Sequence, residues 1–133
     1  MKLEKYFKNG KIFVWKEKFA IVKSKKPLPN AFANIRDDKE ITVVIEQSKI
    51  KSNKNIIKID KDWKILTLDI VFPLNVIGVI AKISNVLAKA KVCIFPISAF
   101  SRDHFLIKEK NLPKALSSFK KIGLIIKDRA KCK

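Results

Sequence analysis

Two different hydrophobic periods follow each other in the second half of the chain. Leu66, Leu68 and Ile70 alternate with less apolar neighbours, which predicts a strand with one apolar face. Apolar residues then recur every three or four positions up to about Lys91, which predicts a helix capped by Asn75. The apolar positions of this helix are Val76, Ile80, Ile83, Leu87 and Ala90.

The same kind of pattern continues to residue 127 and completes a recognisable order of elements. From residue 63 the predicted order is strand, helix, strand, strand, helix, strand, over 63–71, 75–91, 92–100, 104–108, 111–123 and 124–127. Pro96 cannot donate a ladder hydrogen bond, so its strand is expected at a sheet edge, and Gly123 is expected to end the second helix. This βαββαβ order is typical of the ferredoxin-like fold, and we expect the segment to be able to fold alone.

The first half predicts mainly strands, at 11–16, 18–23, 40–47 and 56–59. Asn30 is predicted to cap a short helix, Asp37-Asp38 to form a turn, and Asp60–Asp62 to separate two domains, 1–62 and 63–133. Both halves combine strands with a helical element, which suggests an imperfect duplication. The predicted fold class is therefore α+β, with tandem ferredoxin-like modules whose antiparallel sheets carry helices on one face, and a short basic tail at the end.

Charge raises the question of an anionic partner. The 133 residues contain 30 Lys+Arg and 12 Asp+Glu, a formal charge of +18. The cations are spread over both halves and consist mainly of lysine, whereas base recognition favours arginine, so a solvated lysine coat is expected. A basic ferredoxin-like nucleic-acid-binding protein is the alternative function. It is disfavoured because the strand face with Ile65, Thr67 and Asp69 has a carboxylate where stacking aromatics are needed.

Membrane, metal and enzyme functions find little support in the sequence. No apolar run approaches the ~20 residues of a spanning helix, and no apolar segment with a cleavage site follows the basic start, so a cytoplasmic protein without membrane contact is expected. Cys93 is expected to be a buried thiol and Cys132 a tail thiol, with no metal or cofactor. Asp103 and His104 are adjacent on a strand and point to opposite faces, so they form no catalytic relay, and we expect no enzyme.

Several segments of the second half resemble the ACT domain, a small ligand-binding module of amino-acid-regulated proteins. The resemblance covers nearly all of 63–127 and is carried by Trp63, 72–81, 87–90 and 98–107. The first half is similar to the lead segment of a two-module ACT subfamily that includes the CASTOR arginine sensors. That likeness is carried by Phe19–Val22, Leu28-Pro29 and Glu40–Val44.

The resemblance implies a ligand site where the first strand-to-helix loop faces a neighbouring module's strand. The implied site residues are Asn75, Val76, Ile77, Gly78, Ser98 and Asp103. Independently, the free N–H groups of 76–79 at a helix start suit a carboxylate, Gly78 permits close approach, and Asp103 could hold an ammonium group. Structural roles are open alternatives: capping for Asn75, helix packing for Gly78 and turn formation for Asp103. Arg102 replaces the small hydroxyl residue usual in the family, and the open alternatives are that it occludes the site, re-tunes it or favours an acidic ligand.

These observations lead to one expected function. We expect a non-enzymatic regulatory ACT-type module that binds a small amino acid or related metabolite and signals through self-association or a partner protein. Exposed strand edges need cover, so a homodimer is expected, with the site within one chain or shared between two.

Overall fold

A computed structural model describes residues 3–128, which form three α-helices, eight β-strands and two short 3₁₀ turns. The elements are α1 (Leu3–Phe7), β1 (Lys11–Val14), β2 (Phe19–Ser24), β3 (Ala33–Arg36), β4 (Ile41–Glu46), β5 (Ile56–Asp69), α2 (Val79–Lys89), β6 (Phe95–Ser98), β7 (Asp103–Lys108), α3 (Leu112–Lys121) and β8 (Ile125–Asp128), with 3₁₀ turns at Gln47–Lys49 and Glu109–Asn111. This mixed α+β composition with predominantly antiparallel pairing confirms the predicted α+β class. The helical element predicted for the first half is not found within residues 17–63, which form strands and one 3₁₀ turn. The predicted basic tail and Cys132 lie outside the described residues.

The chain divides into two compact units. The strand unit is Glu17–Trp63, and the helical unit combines the described residues up to Lys16 with those from Lys64 onward. The sequence predicted a division into 1–62 and 63–133. The structure corrects this for the first 16 residues, because Phe7 and Ile12 are buried in the core of the helical unit.

The helical unit contains a five-stranded sheet in the order β6-β7-β5-β1-β8, to which β5 contributes its second half. Strand β1 runs antiparallel to β5, with Ile12 opposite Leu68, and parallel to β8, with Ile12 opposite Ile126. A strand from the first half thus lies between the first and last strands of the predicted βαββαβ segment. The expectation that the segment from residue 63 folds alone therefore did not include β1, which is part of its sheet.

The core of the helical unit lies between this sheet and helices α2 and α3. Ile83 and Leu87 of α2 and Phe119 of α3 are fully buried against Leu68 and Phe105 of the sheet. Both predicted helices exist, and the fully buried helix positions follow the predicted period. Gly123 ends α3 with a φ of 95°, as predicted, because glycine adopts the left-handed conformation at little cost.

The strand unit is an antiparallel sheet in the order β3-β4-β2-β5, with the first half of β5. Its core consists of Ala20, Val22, Leu28, Ile41, Val43 and Ile45. The helix predicted after Asn30 is absent from this described segment, which passes through a loop into β3. Asn34 holds that loop: its Oδ1 accepts from the Leu28 N–H at 2.9 Å and its Nδ2 donates to the Leu28 carbonyl at 3.0 Å.

Two predicted turns of the first half have different outcomes. The Asp37-Asp38 turn is confirmed: Asp37 Oδ1 accepts the N–H groups of Lys39 and Glu40, and these bonds lower the pKa of Asp37. The expected separator at 60–62 is instead a bulge inside the 14-residue strand β5. Asp62 has a φ of 67° there, and Gln47 braces it, with Gln47 Oε1 accepting the Asp62 N–H at 2.8 Å.

Strand β6 shows one confirmed and one incorrect prediction. It pairs with β7 alone among the described strands, so Pro96 does lie on an edge strand. Cys93 was predicted to be a buried thiol but is exposed, because β6 begins only at Phe95 and Cys93 lies in the connection before it.

Candidate functional site

A cavity of about 480 Å³ in the helical unit lies between the β5–α2 connection and the β6–β7 turn. Five of the six predicted site residues line it, namely Val76, Ile77, Gly78, Ser98 and Asp103. Asn75 does not line it. The structure therefore brings together two distant segments, 76–78 and 98–103, that the sequence had assigned to one site.

Gly78, and not Asn75, starts the helix beside this cavity. The Val76 N–H donates to the Pro73 carbonyl at 3.1 Å, which closes a turn at the position where the helix was predicted to begin. Gly78 follows with a φ of 95°, a left-handed conformation that a helix cannot continue, and α2 begins at Val79. The predicted cap at Asn75 is therefore wrong, and the group of free helix amides shifts by about one turn.

The first turn of α2 presents unpaired amides at the cavity. The first helical bond joins the Lys82 N–H to the Gly78 carbonyl at 2.9 Å, so the amides of residues 79–81 have no acceptor within the helix. Gly78 has no side chain that could cap them, and residues 79–81 line the cavity. These donors, together with the helix dipole, favour an anionic group at this end of the cavity.

A carboxylate lies on the opposing segment. Asp103 begins β7 directly across from Ser98, the last residue of β6, and the turn between them is closed by the Ala99 N–H donating to the Arg102 carbonyl at 3.0 Å. Asp103 is partly buried and is the acidic residue among those that line the cavity. The pairing of β6 with β7 therefore places this turn so that it presents Asp103 to the cavity.

Arg102 is held on the sheet by an ion pair that the sequence did not suggest. Its Nε donates to Asp69 Oδ1 at the end of β5, and the two side chains are 44% and 26% exposed. The guanidinium charge is thereby balanced within the site, whereas Asp103 forms no ion pair with any residue in the described range 3–128. An arginine 33 positions from its acid carries no sequence signal that would reveal this pair.

The rim of the cavity is unusually apolar for a surface. Leu74, Ile77 and Phe100 at the cavity are 74%, 91% and 81% exposed, and Val71 in the same β5–α2 connection as Leu74 is 59% exposed. Apolar side chains this exposed at one place are typical of a surface that contacts another molecule. Leu74 and Phe100 were not predicted as site residues, because an isolated apolar residue in a loop gives no periodic signal.

His104 faces away from Asp103, as predicted, and belongs to a polar group on the other face of the sheet. Thr67 Oγ1 accepts from Trp15 Nε1 at 2.8 Å and shares a second hydrogen bond with His104 Nδ1 at 2.8 Å. Burial lowers the pKa of His104 below its ordinary 6.5; Asp103 acts in the opposite direction and Arg102 in the same direction. His104 is therefore neutral at pH 7, and Ile65 and Thr67 on this face are buried, not an open platform for bases.

The lowered pKa of His104 predicts a loss of stability in mild acid. The unfolded chain binds a proton near pH 6.5, whereas the folded chain binds it only at lower pH, so the free energy of unfolding falls as pH decreases below about 6.5. Replacing His104 with asparagine, which retains an acceptor for Thr67, is expected to flatten this dependence. Urea unfolding at about pH 7.5 and about pH 5.5 measures this pH dependence of the free energy of unfolding. If H104N loses as much stability between the two pH values as the unmodified chain, His104 is not the cause.

The described residues contain no group of three or more His, Cys, Asp and Glu side chains that could hold a metal. Among the described helices, none is long and apolar enough to cross a bilayer.

The segment that contains this cavity resembles a known protein family. An ACT domain family model matches residues 58–121. The match includes the β5–α2 connection, Gly78 and Asp103, and it agrees with the resemblance found in the sequence. No curated protein matches the chain.

Solved structures share the fold at low sequence identity. The protein Atu0741 from Agrobacterium tumefaciens has 18% identity and a TM-score of 0.78, covering 92% of this chain and 96% of its own. VC0802 from Vibrio cholerae, described as a possible transport protein, has 16% identity and a TM-score of 0.73. The match covers 91% of this chain and 95% of VC0802. The ligand-free regulatory subunit of aspartate kinase from Thermus thermophilus has 9% identity and a TM-score of 0.60. The match covers 84% of this chain and 95% of the regulatory subunit.

Proposed function

We propose that this protein is a non-enzymatic regulatory module that binds a small amino acid in the cavity beside Gly78 and signals through self-association or a partner protein. The observation that carries the proposal is the meeting, in one cavity, of a helix start with unpaired amides and an unbalanced carboxylate, Asp103. The match of residues 58–121 to the ACT domain and the likeness to a regulatory subunit of aspartate kinase support it.

The two polar ends of the cavity match the two charges of an amino acid. The ligand carboxylate accepts hydrogen bonds from the amides of residues 79–81, where the helix dipole adds a favourable field. The ligand ammonium group is held by Asp103 on the opposing segment, in a charge-assisted hydrogen bond. Exposed Ser98, across from Asp103, is placed to accept or donate one further bond.

The state of Arg102 narrows the class of ligand. Because Asp69 balances its charge, Arg102 offers no free cation for an acidic ligand side chain, so a neutral amino acid is favoured. The walls contributed by Phe72, Val76 and Ile80 are apolar and partly buried in the core of the helical unit. We therefore propose a neutral ligand with an apolar side chain, for which burial of hydrocarbon supplies most of the affinity.

The exposed apolar rim supplies a route for signalling. Leu74, Ile77 and Phe100 surround the cavity mouth, so a second copy of the chain that covers them also closes over the ligand. A ligand that contacts both copies binds the dimer more tightly than the monomer and shifts the equilibrium towards it. The proposed signal is thus a ligand-dependent homodimer, which presents one surface to a partner protein.

A thermal-shift screen of the purified chain against the common amino acids tests the proposal. A ligand that binds the folded state at about 100 times its Kd adds about 2.7 kcal/mol to the free energy of unfolding. We expect one neutral amino acid, or a few of similar shape, to raise the melting temperature equally at low and moderate salt. Sedimentation with that ligand should show a larger dimer fraction. No shift with any amino acid would contradict the proposed function.

A further inference from the structure

Helices α2 and α3 form a surface whose charge the proposed function does not use. Between them lies a groove of about 340 Å³, with the half-buried side chains of Val86, Ala90 and Ile122 among its lining. Lys82, Lys89 and Lys121 also line it, together with Asn85 and Ser118. We call this surface the lysine groove. It lies on the helices, whereas the cavity lies between two loops.

The charge of these helices has one sign. The sequences of α2 and α3 contain five lysines and no Asp or Glu, and Lys91 lies just after the C-terminal cap of α2 at Ala90. Lys82, Lys89 and Lys121 form no ion pair with any described residue. In the strand unit, by contrast, two lysines have acidic partners, in the Lys23–Glu40 and Lys49–Glu46 pairs. The lysine groove is therefore a local concentration of unpaired positive charge.

Helix stability does not account for all of these lysines. Lys89, Lys120 and Lys121 lie in last turns, where a cation interacts favourably with the helix dipole. Lys82 and Lys114, however, lie close to the helix starts, where a cation opposes the dipole and an acid is preferred. A position that costs helix stability and still carries a lysine points to a role outside the helix.

We propose that the lysine groove binds an acidic, amphipathic segment of a partner protein. Apolar side chains of such a segment would contact Val86 and Ala90, and its carboxylates would pair with the flanking lysines. A second copy of this chain presents the same cations and is repelled, so the groove favours a different protein. A nucleic-acid backbone would satisfy the lysines but leave the apolar floor uncovered, and the two helices present neither arginine nor an exposed aromatic residue for bases.

Fluorescence anisotropy with a defined probe tests this proposal independently of amino-acid binding. The probe is a labelled synthetic helical peptide of about 15 residues, with leucines on one face flanked by glutamates. The variant K82Q/K89Q/K121Q is compared with K25Q/K39Q/K54Q, which removes three exposed lysines of the strand unit and lowers the net charge of +18 equally. We expect the first variant to bind about tenfold more weakly and the second to bind almost normally.

Three further probes distinguish the other occupants of the groove. A peptide with its leucines changed to serine should bind clearly more weakly, as should one with its glutamates changed to glutamine. Equal losses in the two triple variants would overturn the proposal, since they would indicate attraction by net charge alone. A DNA duplex of the same charge that binds more tightly than the peptide, with the same dependence on Lys82, Lys89 and Lys121, would also overturn it in favour of nucleic acid. Circular dichroism of each variant verifies that the helices persist.

Discussion

Replacing Asp103 with asparagine is expected to abolish the rise in melting temperature that the best amino acid causes. Asparagine has nearly the same shape but no charge, so the ligand ammonium group would lose its charge-assisted partner at the end of the cavity opposite α2. A buried or partly buried ion pair that loses one partner typically costs about 2–5 kcal/mol, which corresponds to a more than tenfold loss of affinity. Calorimetric titration of D103N with the ligand measures this loss.

The matched control for this substitution is Asp38→Asn. Asp38 is an exposed carboxylate in the Asp37-Asp38 turn of the strand unit, it does not line the cavity, and its loss changes the net charge equally. D38N should retain the ligand's affinity, and both variants should keep the unfolding temperature of the unliganded chain within a few degrees. Undiminished affinity in D103N would remove Asp103 from the site.

Substitution of Phe105 by alanine is expected to give the largest loss of stability. Phe105 on β7 is fully buried in the core between the sheet and helices α2 and α3. Removal of its ring therefore leaves a cavity among the neighbouring core side chains. Deletion of a buried phenylalanine ring costs about 3–5 kcal/mol, as lost burial plus an unfilled cavity. Urea unfolding followed by tryptophan fluorescence measures the change.

Phe100→Ser provides the comparison for this large effect. Phe100 is 81% exposed at the cavity rim, so its removal should change the free energy of unfolding by less than about 0.5 kcal/mol. The same variant should weaken the ligand-dependent dimer, because it deletes part of the apolar rim. A large destabilisation by F100S would show that the ring packs within the chain and is not available to a partner.

The sequence predicted those parts of the fold that are encoded locally. The periods of three and four that place Ile83, Leu87 and Phe119 in the core depend only on neighbouring residues, and so does the left-handed end of α3 at Gly123. The place of β1 could not be predicted, because nothing near Lys11–Val14 specifies that its partners are β5 and β8. The helix predicted after Asn30 failed because Asn34 binds the Leu28 backbone, a contact that hydrophobic pattern does not register.

The candidate site, like the fold, contains residues that the sequence predicted and residues that only the structure reveals. Gly78, Ser98 and Asp103 were predicted from the family resemblance and from helix-start chemistry, and all three line the cavity. Asn75 was misplaced because glycine with a positive φ delays the helix, whereas cap preference alone favours asparagine. The Arg102–Asp69 pair joins residues brought together by two different strands, so only the folded sheet reveals it.

The position of β1 has a consequence for how the chain folds during its synthesis. Ile126 of β8 is synthesised long after Ile12 of β1, its parallel neighbour in the sheet. Parallel pairing across such a long sequence separation closes a large loop and is slow. Until β8 is synthesised, one edge of β1 in the nascent chain therefore lacks its native partner and can pair with other chains, so aggregation is a risk during this interval.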